Sequence, residues 1–203
     1  MLSIESLNRR FGQHEVVRSL DLAVEPGQRV ALWGPNGSGK STVLRCVAGT
    51  LLPSAGSVRI NGHEAGELAA RRLVGASLAQ ERSFYLRLSG RANLLFFARM
   101  RYDNRREGAR SVDALIEELE IADIAAQRVD RCSTGMVQQL ALARAFLGDP
   151  MVILLDEPTR SLDADARGRL WGALQRRRRS AALIATHLDE DVKLCDERVS
   201  FPV

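Results

Sequence analysis

The most informative segment of this chain is Gly34-Pro35-Asn36-Gly37-Ser38-Gly39-Lys40-Ser41. It fits the pattern G-x-x-x-x-G-K-[ST], a glycine-rich loop that ends in a lysine and a hydroxyl residue. Glycines let the backbone curl so that consecutive N–H groups point inward, and a helix start adds partial positive charge. The alternative is an ordinary turn before a helix. The complete pattern favours a loop that holds phosphate.

The residues on both sides of this loop have the pattern that such a loop requires. Residues 29–33 predict a buried strand before it, and residues 43–49 predict a helix after it. In that setting Lys40 reaches the β- and γ-phosphates of a nucleotide, and the Ser41 hydroxyl is a ligand of Mg²⁺. We therefore expect the nucleotide-binding residues to run from the loop through Thr42.

A second motif is Val152-Ile153-Leu154-Leu155-Asp156-Glu157. Its apolar strand delivers Asp156 at the carboxyl end, where the ligand sites of open sheets lie, and we expect Asp156 to hold Mg²⁺ through water. Glu157 is placed to activate an attacking water as general base. An Asp-Glu pair after a strand is also a common helix cap. The glycine-rich loop elsewhere in the chain favours the catalytic interpretation.

Strands and helices alternate along the chain. Residues 151–155 and 182–186 are uninterrupted apolar runs, which is typical of parallel strands buried on both faces. A polar helix is predicted between them, over residues 164–179. Residues 1–33 alternate in the manner of short antiparallel strands, whereas about residues 87–147 have a helical pattern. The class is therefore α/β with a mostly parallel sheet.

The composition is that of an ordinary globular protein. Of 203 residues, 45% are hydrophobic and 27% are charged, which excludes a disordered tail, a collagen-like repeat and a coiled-coil rod. Uncharged stretches are shorter than the ~18–20 residues that cross a bilayer, and no signal peptide is visible. Three widely spaced cysteines, Cys46, Cys132 and Cys195, predict reduced thiols in a cytosolic protein.

The chain is mildly basic, with 29 Lys and Arg against 25 Asp and Glu. Nucleic-acid-binding proteins concentrate such charge on one face, whereas here the arginines are spread along the chain. Two runs stand out, at residues 99–110 and 176–179. Two interpretations are open: a solvated helix face near a membrane or a protein partner, which the spread favours, and a specific nucleic-acid contact.

With these motifs the chain resembles the nucleotide-binding subunit of ATP-binding cassette (ABC) transporters, over essentially its whole length. The resemblance implies ATP and Mg²⁺ as ligands, and further motifs follow in the family's order. Leu78-Ala79-Gln80-Glu81 resembles the glutamine loop, so Gln80 would touch Mg²⁺ and the attacking water. Ser161-Leu162-Asp163 resembles the D-loop. Thr186-His187 resembles the switch, so His187 would contact the γ-phosphate, and Phe11 matches the aromatic residue that stacks on adenine.

The signature motif departs from the family pattern. Where the family has Leu-Ser-Gly-Gly-Gln, this chain has Cys132-Ser133-Thr134-Gly135-Met136. The resemblance implies that Ser133, Thr134, Gly135, Met136 and Asp163 act on ATP held by the opposite subunit. Thr134 adds a side chain where glycine is usual, and Met136 removes an amide hydrogen-bonding group. Similar Ser-x-Gly-Met signatures occur in export-type members, which favours an active variant. A regulatory subunit that hydrolyses little ATP is the alternative.

The resemblance also implies an architecture and partners. The whole chain, residues 1–203, would be one ABC ATPase domain with a P-loop NTPase core, an N-terminal antiparallel β subdomain and an inserted α-helical subdomain. The core with its β subdomain would take about residues 1–86 and 148–203, and the insert that carries the signature about residues 87–147. The expected partners are a second nucleotide-binding subunit, identical or not, and a transmembrane permease subunit, with no direct nucleic-acid contact.

We expect the chain to be bound peripherally at the cytoplasmic side of the cell membrane. The expected direction of transport is export. A groove beside the Gln80 loop would receive a short helix of the permease, at a surface that includes residues 82–88 and 93–97. Phe96 and Phe97 have two open interpretations, this interface or the small core of the insert. Two alternatives to an exporter stand beside it: a soluble ABC ATPase that acts on the ribosome or nucleic acid, and the haem-exporter subunit of cytochrome c maturation.

Overall fold

The structure, a computed structural model, describes residues 1–78 and 84–201. Within those residues the chain forms two sheets, and their strands are β1 (Leu2–Phe11), β2 (His14–Val24), β3 (Arg29–Trp33), β4 (Ala55–Ile60), β5 (His63–Glu64), β6 (Val74–Ser77), β7 (Val152–Asp156), β8 (Ala181–Thr186) and β9 (Glu197–Ser200). The helices are α1 (Lys40–Val47), α2 (Leu68–Arg72), α3 (Gly90–Ala98), α4 (Arg105–Glu118), α5 (Ala122–Ala126), α6 (Thr134–Phe146), α7 (Ala164–Arg176) and α8 (Asp189–Val192).

The central sheet has the order β6-β7-β8-β3-β9, and each of its strand pairs is parallel. All five residues of β7 are buried, and the first four alternate between two hydrophobic clusters. Ile153 and Leu155 belong to the cluster that includes α4, α6 and α7, whereas Val152 and Leu154 belong to the cluster that includes α1 and the antiparallel strands. A strand covered on both faces needs an apolar residue at every position, which explains the uninterrupted apolar run.

The second sheet is antiparallel, in the order β2-β1-β4-β5. Leu2 of β1 lies opposite Val24 of β2 on one side and Ile60 of β4 on the other. The turn from β4 to β5 is the pair Asn61-Gly62, residue types that are typical of a two-residue hairpin turn. Asn61 and Gly62 have φ angles of 51° and 84°, which a two-residue hairpin of this kind requires.

Helices α3 to α6 fill the segment that the sequence predicts as helical. Ser89 caps α3 through a 3.1 Å hydrogen bond from the Ala92 N–H, and Asn104 caps α4 through 2.8 Å from the Arg106 N–H. A 3₁₀ turn (Val129–Arg131) precedes α6. None of the helices in the described residues is long and apolar enough to cross a membrane.

Two strands of the central sheet were missed by the sequence analysis, and one helix is shorter than expected. Strand β6 has only four residues, and β9 follows β8 through α8 and pairs with β3. Strand β9 lies at the sheet edge with mostly exposed residues, so it lacks the apolar run that marks β7 and β8. Helix α7 ends at Arg176 and not at Arg179, since Arg177 already leaves the helical conformation.

Parallel register brings the two sequence motifs together. Trp33, the last residue of β3, lies opposite Thr186, the last residue of β8, and Asp156 of β7 lies opposite Ala185 of β8. The carboxyl ends of these three strands therefore meet at one edge of the sheet. The glycine-rich loop, the Asp-Glu pair and the predicted switch histidine all begin there, although they are far apart in the chain.

Candidate nucleotide-binding site

The glycine-rich loop has the tight curl that the sequence predicts. Gly37 and Gly39 have φ angles of 85° and 102°, in the region that favours glycine. A Cβ atom on Gly39 would lie 2.7 Å from the Val16 carbonyl oxygen, so no other residue fits there without a shift of the backbone. Lys40 is buried, and its Nζ donates to the carbonyl oxygens of Gly34 (2.7 Å) and Pro35 (2.8 Å). The ammonium thus closes the loop on itself.

Beside the loop, the ends of β7 and β8 carry a hydrogen-bonded acid–histidine pair. The Glu157 Oε2 lies 2.7 Å from His187 Nδ1. Glu157 has a φ of 49°, and its N–H donates to the Ala185 carbonyl oxygen (2.9 Å), so the chain bends sharply where the strand ends. Glu157 Oε1 is buried and has no hydrogen-bond partner among the described residues. One carboxylate oxygen is therefore held by the histidine, and the other is left to accept a proton.

A cavity of about 240 Å³ lies between the loop and the end of β7. The charged residues on its wall are Lys40, Asp156, Glu157 and Arg160, and the hydroxyl residues are Ser41 and Thr42. Mg²⁺ is usually held by one or two carboxylates or hydroxyls together with the phosphates of a bound nucleotide. Ser41 and Asp156 supply a donor set of that kind across the cavity. The residues present therefore fit Mg²⁺ bound together with a polyphosphate.

A buried carboxylate links the two loops that follow β7 and β8. Asp191 of α8 is fully buried, and its Oδ2 accepts hydrogen bonds from the hydroxyls of Thr159 (2.7 Å) and Thr186 (2.9 Å). Thr159 follows Glu157, and Thr186 precedes His187. The acid therefore holds both halves of the acid–histidine pair in place. The sequence analysis missed Asp191, because one acid in the run Asp189-Glu190-Asp191 gives no signal that it is buried.

The variant signature forms the start of α6, with Ser133 as its cap. The Met136 N–H donates to the Ser133 hydroxyl (3.2 Å), and the Ser133 N–H in turn donates to the Met136 sulfur at 3.4 Å. The sequence analysis treated Met136 as the loss of a hydrogen-bonding group. The thioether instead completes a reciprocal capping box, which usually ends in Glu or Gln.

Gly135 brings the signature close to the D-loop of the same chain. A Cβ atom on Gly135 would lie 2.5 Å from the Ser161 carbonyl oxygen. One turn further along α6, the Gln138 side chain donates to the Pro158 carbonyl oxygen at 3.4 Å. The helix start therefore packs on the loop that begins with Glu157. Ser133 and Thr134 are exposed at this helix start.

Three other predicted site residues have different settings. Asp163 caps α7, since its side chain accepts a 2.8 Å hydrogen bond from the Ala166 N–H. Phe11 lies at the end of β1 with 48% of its surface exposed, and the Arg9 guanidinium lies 4.4 Å from its ring centre. It does not line the cavity. Gln80 lies outside the described residues. The predicted roles of Asp163 and Phe11 remain predictions.

Most arginines of the two runs are exposed, in line with the solvated face that the sequence analysis favoured, but one arginine in each run is packed against other elements. Arg177 forms a bidentate ion pair with Glu118 of α4, and its guanidinium lies 4.3 Å from the Phe146 ring centre. Arg101 donates to the carbonyl oxygens of Arg72 and Val74, and burial lowers the pKa of its guanidinium. These two side chains are therefore part of the packing between elements.

The three cysteines are free thiols, as the sequence predicts. Burial raises the pKa of the Cys46 thiol to about 11 and, together with the charge of Asp191, that of the Cys195 thiol to about 12. Because the thiolate is the reactive form, neither group is reactive at neutral pH. Among the described residues no group of three or more His, Cys, Asp or Glu side chains could hold a metal ion.

Comparison with known proteins agrees with this geometry. A family model described as "ABC transporter" matches residues 17–160. The chain is 34% identical over 201 residues to an uncharacterized ABC transporter ATP-binding protein, YxlF, of Bacillus subtilis (strain 168), with 98% of this chain and 67% of that protein covered. It is 33% identical over 205 residues to the ABC transporter ATP-binding protein NatA of the same organism, with 97% and 83% covered.

Solved structures share the fold. The structure of an ATP-binding subunit of an ABC transporter superposes with a TM-score of 0.89 at 26% identity, over 98% of this chain and 85% of that one. A dimeric post-hydrolysis state of the cassette MJ0796, bound to ADP and Pi, superposes with a TM-score of 0.88 at 21% identity, over 99% and 94%.

The fold and the site thus define a nucleotide-binding protein of the α/β class, with a phosphate-binding loop and a carboxylate pair at one sheet edge. The chain belongs to the ABC transporter family, in which it is the ATP-binding, ATPase subunit.

Proposed function

We propose that this chain hydrolyses Mg·ATP as one half of a dimer and drives a separate permease subunit that exports its substrate. The observation that carries the proposal is the acid–histidine pair of Glu157 and His187, 2.7 Å apart beside the phosphate-binding loop. An acid–histidine pair with a purely structural role could lie anywhere in the fold. A general base that activates water must lie beside the γ-phosphate, as this pair does.

Different residues of this chain bind the phosphates, hold the metal ion and accept the proton. The loop N–H groups and Lys40 hold the phosphates, and Ser41 and Asp156 would hold Mg²⁺, which neutralises charge on the phosphate oxygens when it is bound. A carboxylate only accepts hydrogen bonds, so the His187 Nδ1 carries the hydrogen shared with Glu157 Oε2. Glu157 Oε1 then takes the proton from the attacking water. His187 keeps the carboxylate oriented during that transfer.

The altered signature supports an active subunit over a regulatory one. The capping box of α6 is complete with Met136, so the helix start keeps the form of a phosphate-binding surface, with Ser133 and Thr134 exposed on it. In a dimer this surface would face the ATP of the opposite subunit, together with Gly135 and Asp163. The dimeric cassette of the same fold supports this arrangement for the second nucleotide-binding subunit.

The permease partner is supported by a groove of about 640 Å³ where residues 68–78 meet α3 and α6. Its charged lining is five arginines and one acid: Arg71, Arg72, Arg99, Arg101, Arg144 and Asp103. Leu68, Phe97 and Met100 add an apolar strip. A groove of this charge suits an amphipathic helical segment that carries acidic side chains. Peripheral attachment to the cytoplasmic face of a membrane follows from such a partner.

The export direction is supported by the names of relatives and by the Ser-x-Gly-Met signature. A Nod factor export ATP-binding protein of Rhizobium johnstonii is 33% identical over 199 residues, with 96% of this chain and 64% of that protein covered. A sulfate/thiosulfate import ATP-binding protein of Synechococcus elongatus is also 33% identical, over 175 residues. Relatives from Rhizobium meliloti and Rhizobium sp. also carry the name Nod factor export ATP-binding protein, so the names favour export without being uniform.

The catalytic proposal is tested with the substitution Glu157→Gln. The amide keeps the shape of the side chain but cannot take a proton from water, so we expect the hydrolysis rate to fall by about 10²–10⁴-fold. ATP binding remains, and the ATP-bound dimer accumulates because it is not consumed. The rate is measured by phosphate release, and the dimer by light scattering after gel filtration with Mg·ATP.

The matched control is Glu190→Gln, the same chemical change on an exposed side chain that pairs with Arg167. It is expected to hydrolyse ATP at the wild-type rate. Near-normal hydrolysis by Glu157→Gln would show that another group is the base.

A further inference from the structure

We propose that Arg160 is a second phosphate-binding cation of this site, which contacts the γ-phosphate of ATP bound in its own subunit. The inference rests on the proposed function, because it needs ATP in the cavity. Arg160 lines the cavity together with Glu157 and residues of the phosphate-binding loop. The sequence motifs do not include it.

The position of Arg160 is determined by rigid neighbours. Glu157 bends the chain at a φ of 49°, and the Arg160 N–H returns to the Glu157 carbonyl oxygen at 3.4 Å. The preceding residue, Thr159, is buried and donates to Asp191 at 2.7 Å. Leu162, two residues after Arg160, donates its N–H to the Thr159 carbonyl oxygen at 3.1 Å. Arg160 is thus an exposed side chain on an anchored turn.

The charges that line the cavity indicate that the Arg160 side chain can bind a phosphate. The cavity wall carries two cations, Lys40 and Arg160, and the Lys40 ammonium is already bound by two loop carbonyl oxygens. Within residues 1–78 and 84–201 the Arg160 guanidinium has no hydrogen-bond or ion-pair partner. A guanidinium is always charged, and its planar fork matches two oxygens of one phosphate. A triphosphate supplies the partner that the protein does not.

The γ-phosphate is the part of ATP that this geometry selects. Arg160 and Glu157 line the cavity from one turn, since the Arg160 N–H donates to the Glu157 carbonyl oxygen. Glu157 is the group proposed to activate the water that attacks the γ-phosphate. Arg160 is therefore expected to distinguish ATP from ADP. Lys40 is expected to bind both, since it reaches the β-phosphate as well.

The test compares the affinities of a non-hydrolysable ATP analogue and of ADP, both with Mg²⁺, by calorimetry. For Arg160→Gln we expect the Kd of the ATP analogue to rise by about tenfold and that of ADP by less than about threefold, since one charge-assisted phosphate contact is lost. Arg160→Lys keeps the charge without the fork, so it is expected to lie between the wild type and Arg160→Gln.

The matched control is Arg179→Gln, the same loss of charge at an exposed arginine that precedes β8, at the end of the sheet away from the site. It should bind both nucleotides as the wild type does. Unchanged affinity for the ATP analogue in Arg160→Gln, or an equal loss for both nucleotides, would overturn the γ-phosphate contact. If the wild type itself binds no ATP analogue, the proposed function fails, which is a different result.

Discussion

Single atoms decide how the variant signature works. A thioether is a weak acceptor, yet the Met136 sulfur lies 3.4 Å from the Ser133 N–H and takes the place of the usual carboxylate or amide of a capping box. Next to it, Gly135 lies against the Ser161 carbonyl oxygen, with no room for a side chain. The start of α6 therefore depends on glycine at one position and tolerates a change of chemistry at the other.

This difference predicts that two glycine-to-alanine substitutions in helices have opposite effects. Gly135→Ala places a Cβ 2.5 Å from the Ser161 oxygen, and we expect the free energy of unfolding to fall by about 1–3 kcal/mol. Gly168→Ala in α7 meets no atom within 4 Å, and we expect a gain of about 0.5–1 kcal/mol from helix propensity. Denaturant unfolding of both variants measures the two changes. Equal effects would mean that Gly135 is not constrained by the D-loop.

At the scale of elements, an ion pair joins the last residue of α4 to the end of α7. Glu118 accepts hydrogen bonds from Arg177 at 2.7 and 2.9 Å and from Arg176 at 2.9 Å. Burial raises the pKa of the Glu118 carboxyl, but the hydrogen bonds and charges of Arg177 and Arg176 lower it more, so the net pKa is below the ordinary value. The pair therefore links a helix that precedes the signature to a helix that follows the D-loop.

The lowered pKa of Glu118 predicts a pH-dependent contribution to stability. A carboxyl whose pKa is lower in the folded state stabilises the protein fully above its unfolded pKa of about 4.3, and this contribution is lost as the pH falls through the folded value. We expect Glu118→Gln to cost about 1–2 kcal/mol at pH 7, with a difference from the wild type that shrinks between pH 5 and about pH 3.

The control for this pair is Asp113→Asn, which removes an exposed ion pair with Arg91. Exposed pairs contribute about 0–1 kcal/mol, so a smaller change at pH 7 is expected. Unfolding is followed by urea titration at each pH. A pH-independent difference between Glu118→Gln and the wild type would contradict the role of the charge.

At the scale of the whole molecule, the nucleotide cavity and the arginine-lined groove lie in different places. The cavity for nucleotide lies where β3, β7 and β8 end, and the arginine-lined groove lies where residues 68–78 meet α3 and α6. Helix α6 contributes to both regions, since its first turn packs on the D-loop and Arg144 near its end lines the groove. A partner in the groove is thus connected to the site through one helix.

From the charge of the groove we predict which substitutions weaken binding of the permease. Arg72 and Arg99 are exposed in the groove, so the double substitution Arg72→Glu, Arg99→Glu reverses charge where an acidic segment would bind. We expect at least about a tenfold loss of the permease that co-purifies with the tagged chain from gently solubilised membranes, because like charges then face each other. Mass spectrometry identifies and quantifies what is recovered.

The control changes the same charge elsewhere, as Arg178→Glu, Arg179→Glu, at exposed positions after α7. It should recover the permease as well as the wild type does. An undiminished permease with the groove variant would refute docking in the groove. Ribosomal proteins or nucleic acid in place of any membrane protein would favour the soluble ATPase instead.

The features of this protein that depend on local pattern could be predicted from the amino-acid sequence. The phosphate-binding loop follows from glycine spacing, and the strands β7 and β8 follow from uninterrupted apolar runs, because a strand buried on both faces has no polar position. The turn at Asn61-Gly62 follows from its residue types, because Asn and Gly tolerate the two positive φ angles that such a turn requires. The family could be recognised for the same reason, since its motifs are short and local.

The features that depend on contacts between distant residues could not be predicted from the sequence. Asp191 and its neighbour Asp189 have the same side chain, but only the first is enclosed by Thr159 and Thr186. In the sequence, nothing distinguishes Arg160 from the other exposed arginines, and β9 has no apolar run that would mark it as a strand. Burial, pairing and the lining of a cavity are set by contacts between distant segments, which no local pattern encodes.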